Sequence, residues 1–91
     1  METTTKQETV CMGERQEMLG RHMELRQARS RCELACEAMR DKLRVLLPVG
    51  EGVERLDRDA ILNTAAALHS QLAQIAEQDI RLAALGRELG I

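Results

Sequence analysis

Two cysteines, Cys32 and Cys36, stand four residues apart, and on a helix that spacing puts both thiols on one face. A pair of thiolates is half of a tetrahedral zinc site, which needs four ligands. The chain offers no second pair: Cys11 is remote, and His22 and His69 fall elsewhere on helical patterns. The two therefore read as small apolar side chains on a packing seam. Three cysteines are an odd number, better suited to a reducing compartment than to a disulfide framework. Catalytic arrangements are missing too. There is no glycine-rich phosphate loop and no suggestive spacing of Ser, His and Asp. The carboxylates sit on solvent-side positions close to arginines, as at Glu37, Asp41 and Arg44. The expectation is a protein that is no enzyme, with no cofactor, no metal and no small-molecule substrate.

The residues best suited to contact chemistry are arginines. Of the 13 cations all but Lys6 and Lys42 are Arg, whose planar fork pairs bidentately with phosphate or carboxylate. Arg21, Arg26, Arg29 and Arg31 are opposed only by Glu24 between residues 21 and 31. Residues 1–14 and 48–91 are each net acidic, and the whole chain sums to −2. A basic segment within an acidic protein is either a solvated helix face or a contact for a polyanion.

Positioning these groups falls to helices. Residues 1–13 are polar and without period, and read as a flexible N-terminal arm. From about Glu14 a helical pattern runs to Leu47, where Pro48 forbids continuation. Steps of four and three trace a first seam through Met18, His22, Leu25, Arg29, Cys32, Cys36, Met39, Leu43 and Leu46; it is apolar from Cys32 on and interrupted at His22 and Arg29. Residues 48–56 hold one Pro and two Gly and read as a loop. A second helix, about 57–89, opens on Asp57 as N-cap. The same stepping gives its seam as Ile61, Ala65, Leu68, Leu72, Ile75, Asp79, Leu82, Gly86 and Leu89, a heptad pattern with a polar break at Asp79. Nothing alternates with the period of a strand, so the fold class is all-α: two long helices joined by a Pro/Gly loop.

Composition sharpens this. Among 91 residues there is no Phe, Tyr or Trp, side chains that each bury roughly 150–250 Å². A domain this short buries only about 60–65% of its unfolded surface, so self-association or a partner is the expected source of further burial. Without aromatic rings, readings that stack single-stranded bases lapse. No run approaches the roughly 18 apolar residues of a membrane span, and the opening lacks the pattern of a secretory leader. A soluble, intracellular protein is expected.

The order Leu43-Arg44-Val45-Leu46-Leu47-Pro48, then Arg55-Leu56-Asp57-Arg58 through Ile61, Leu62 and Ala65, then Leu68 and Leu72, resembles the helix-loop-helix family of transcription regulators over residues 21–75. The heptads beyond Leu72 look like the zipper extension some members carry. The resemblance implies a dimerising helix-loop-helix domain over residues 14–91. Two chains would form a parallel four-helix bundle, with the basic stretches entering the DNA major groove. It implies DNA contact through Arg21, Arg26, Arg29, Arg31 and Arg58. It implies a dimer interface through Cys36, Met39, Leu43, Leu46, Leu47, Ile61, Leu62, Ala65, Leu68, Leu72, Ile75 and Leu82. By count from Leu43, Arg29 stands where the family's base-reading members hold a Glu, so the basic region is atypical and sequestering a DNA-binding partner is the alternative to binding DNA. Asp79 on the seam and Arg40 near it favour a related chain as partner over a homodimer. Nuclear localisation follows from this reading. The competing expectation is a cytoplasmic scaffold subunit, a hairpin with antiparallel helices inside a larger coiled-coil assembly; heptads alone leave parallel and antiparallel geometry open.

Overall fold

Pro48 sets the bend of the molecule. Its ring cannot continue a helix and disfavours helix in the residue before it, and helix α1 (Glu2–Leu46) ends accordingly, with the Leu47 amide still donating to the Leu43 carbonyl at 2.9 Å. The computed structural model describes residues 2–91, with only the backbone described for residues 2–12. The helical backbone thus begins upstream of the start near Glu14 that the polar run suggests. The arm expected over 1–13 falls almost wholly on residues whose side chains lie outside the description.

After Pro48 comes a short loop containing Gly50 at φ 91°, a left-handed conformation that glycine adopts without strain, and a single 3₁₀ turn at Val53–Arg55. Helix α2 (Arg58–Leu89) starts where the Asp57 carboxylate accepts from the Ala60 amide at 3.1 Å, satisfying one of the free amide groups of a helix start. It ends at Gly90, φ 73°, where the Ile91 amide donates to the Gly86 carbonyl and the Gly90 amide to that of Arg87. That is a Schellman closure. Among the described residues there is no strand.

The two helices pack against each other, and they run antiparallel. Arg15 Nη1 donates to the Leu89 carbonyl at 3.0 Å, near the free end of the hairpin, while Arg29 meets Asp79 and Cys32 meets Gln74 and Gln78 further in. The result is a rod of 78 × 15 × 14 Å. Its radius of gyration is 21.4 Å, against about 12 Å for a compact domain of this length. Among the described residues no side chain is fully buried, and Cys32 and Leu89 are the buried apolar ones.

On α1 the seam traced by sequence is the one that packs: Met18, His22, Leu25, Arg29, Cys32, Cys36, Met39, Leu43 and Leu46 are all buried or half-buried. On α2 the trace is corrected at alternate positions. Ile61, Leu68, Ile75, Leu82 and Leu89 face α1, but Ala65, Leu72 and Asp79 are exposed and their N-terminal neighbours Thr64, Gln71 and Gln78 turn inward instead. A heptad can be stepped three-then-four or four-then-three from the same residue, and stepping four-then-three from Ile61 traced the exposed flank of the seam at Ala65, Leu72 and Asp79. The polar side chains are tolerated inside because a two-helix rod leaves the edges of its seam open to water, and Gln78 finds a partner in Cys32.

Candidate interaction surfaces

The sequence-derived interface residues divide between two surfaces. Cys36, Met39, Leu43, Leu46, Ile61, Leu68, Ile75 and Leu82 lie half-buried in the hairpin's own seam. Leu47, Leu62, Ala65 and Leu72 are exposed; Leu62 keeps 66% of its surface and Leu72 50%. Leu47 lies at the turn, whereas Ile80, at 72%, joins Leu62, Ala65 and Leu72 on the exposed side of α2. This outer face carries leucine, isoleucine and alanine, and among the described residues no element covers it.

The candidate DNA-contacting residues also divide. Arg29 is engaged within the hairpin: its Nε and Nη2 fork onto the two carboxylate oxygens of Asp79, and its Nη1 reaches Glu33 one turn along α1. The hydrogen bond to Asp79 raises the Arg29 pKa above its ordinary value; desolvation opposes this and the negative charge of Asp79 adds to it. The pair is thus a fixed cross-helix clasp. Arg21, Arg26 and Arg31 are exposed and have no carboxylate within 4.0 Å among the described residues, while Arg58 sits beside Asp59 at 3.9 Å with both side chains in solvent.

A different grouping emerges around the free end. Arg21 and Arg31 of α1 and Arg81 of α2 stand along the edges of a groove of about 720 Å³. The half-buried Leu25, Ala28 and Leu85 form its floor, with Ala84 beside them. Glu24 also lines it, and Arg81 is steadied by Glu77 at 2.6 Å. Sequence reasoning placed Arg21 and Arg31 in a basic stretch but missed Arg81, which only the antiparallel fold brings to the same groove.

Cys32 is buried, its thiol donating to Gln74 Oε1 at 3.5 Å and receiving Gln78 Nε2 at 3.8 Å, while Cys36 is half-buried. Among the described residues no cluster of three or more His, Cys, Asp or Glu is arranged to hold a metal, and no helix is long and apolar enough to cross a membrane. No family model, no curated protein and no solved structure matches the chain.

Proposed function

We propose that this protein is a non-enzymatic helical-hairpin assembly module, one that pairs with a second hairpin into a four-helix bundle within a larger cytoplasmic complex. One observation carries the reading. The chain exposes 7329 Å², where a compact monomer of its mass exposes about 5300 Å². The excess, about 2000 Å², is more than the roughly 800 Å² per partner of a standard protein interface. The outer α2 residues Leu62, Leu72 and Ile80 supply apolar contact for such a pairing. The second hairpin is a copy of this chain or a related one.

Sedimentation of the full chain over a range of concentrations tests this. Reversible dimerisation is expected, and Leu62→Ser with Leu72→Ser should return a monomer of unchanged helicity. A single monomeric species at every concentration, alone and in the presence of a related chain, rules the reading out.

The helix-loop-helix regulator is the second reading, supported by the exposure of Arg21, Arg26, Arg31 and Arg58. In it the dimer sits in the nucleus and contacts duplex DNA weakly, or withholds a DNA-binding partner. A salt-dependent mobility shift with duplex DNA supports direct contact. Loss of a partner's shift, with none from this chain, supports sequestration.

A further inference from the structure

We propose that the groove between Arg21, Arg31 and Arg81 is a docking site for an amphipathic helix of another protein, one whose apolar stripe is flanked by carboxylates. The shape and the charge argue together. Ala28 and Ala84 present only methyl groups, so a helix can approach closely between α1 and α2. Leu25 and Leu85 give it an apolar floor. That is the arrangement by which an amphipathic helix lays its apolar face into a groove.

The three arginines select the flanks. Arg21 and Arg31, with no carboxylate within 4.0 Å among the described residues, can each fork onto one. Arg81, already beside Glu77, adds a third cation to a lining whose acidic residue is Glu24. A nucleic-acid duplex would use the same charges but has no use for a floor of leucine and alanine. The site is centred away from Leu72, the middle of the outer face proposed for self-assembly. Arg81 lies nine residues beyond Leu72, about two and a half helical turns, and so on the opposite side of α2. The proposal does not rest on the dimer, although the two surfaces adjoin where Ile80 and Ala84 stand one turn apart on α2.

Fluorescence anisotropy on the full chain tests it with three probes: a synthetic helix with a leucine–alanine stripe flanked by glutamates, the same helix with lysines in place of the glutamates, and a short duplex DNA. The glutamate helix is expected to bind, more weakly as salt rises, and the lysine helix not to bind. Replacing Arg21, Arg31 and Arg81 together by Ser, all at exposed positions, should weaken the glutamate helix about fivefold or more, with helicity and sedimentation unchanged. Ala84→Glu should abolish binding by putting a carboxylate into the groove. Absence of glutamate-helix binding at millimolar concentration overturns the proposal. So does equal binding of the two helices, or an affinity that the triple substitution leaves unchanged. Tighter binding of duplex DNA, lost in the same triple variant, would overturn it in favour of a phosphate contact.

Discussion

Arg29 forks onto Asp79, fifty residues further along the chain, and this is the one charged clasp across the hairpin among the described residues. It fixes which turn of α1 faces which turn of α2. Either Arg29→Ala or Asp79→Ala should lower the thermal midpoint slightly and reduce its sensitivity to salt. Exchanging the charges, Arg29→Asp with Asp79→Arg, should recover much of the loss. A double variant no better than the two single effects combined would show that the clasp contributes nothing to register.

Gln78 turns inward and its Oε1 is buried without a hydrogen-bond partner. A buried acceptor left unpaired costs about 1–3 kcal/mol, and leucine at that position would meet Cys32 in the seam. Gln78→Leu is therefore expected to stabilise the fold by about 1 kcal/mol, measured by urea unfolding at fixed protein concentration. A lower urea midpoint would mean that the side chain is satisfied by water and valued there.

The seam and the outer face can be separated by substitution. Leu43 is half-buried against α2, so Leu43→Asp puts a charge into the hairpin's own packing and should cause loss of helicity at any concentration. Leu72→Asp, on the outside, should leave circular dichroism intact and remove only the concentration-dependent association. Equal loss of helicity in the two variants would indicate that the hairpin does not fold apart from its partner.

Two local backbone features, one at a helix start and one inside a helix, tune stability by modest amounts. Removing the Asp57 cap, Asp57→Ala, should destabilise by about 1 kcal/mol. Gly20 lies within α1 with open space where a Cβ would stand, so Gly20→Ala should stabilise by about the same amount. Thermal unfolding of the two variants in parallel checks both signs.

Much of the fold was legible in the residues. Pro48, the cap at Asp57 and the periodicity of α1 mark the bend and the inner face directly, because each acts through local backbone geometry or a single helix stripe. The phase of α2 was not legible: Ala65 and Leu72 look like better core than Thr64 and Gln71, and only the position of α1 decides between them. The polar interruptions of the two seams held a clue. Arg29 and Asp79 are of opposite charge and nearly equidistant from the loop, so an antiparallel hairpin brings them together. Read separately they look like two defects; read as a pair they give the direction of the helices. The groove was hidden for the same reason, since Arg81 joins Arg21 and Arg31 only across the fold.

The proportions of the rod also govern what it can do at a distance. Its free end carries the arginine groove and its other end the Pro48 turn, separated by about twenty residues of α1, or about 3 nm at 1.5 Å per residue. Two bodies held at these ends have their attachment points kept apart by a double strut far stiffer than a flexible linker of equal length. The hairpin is therefore a spacer as well as an adhesive surface: lengthening both helices by one heptad would move its attachments apart by about 1 nm without altering either one.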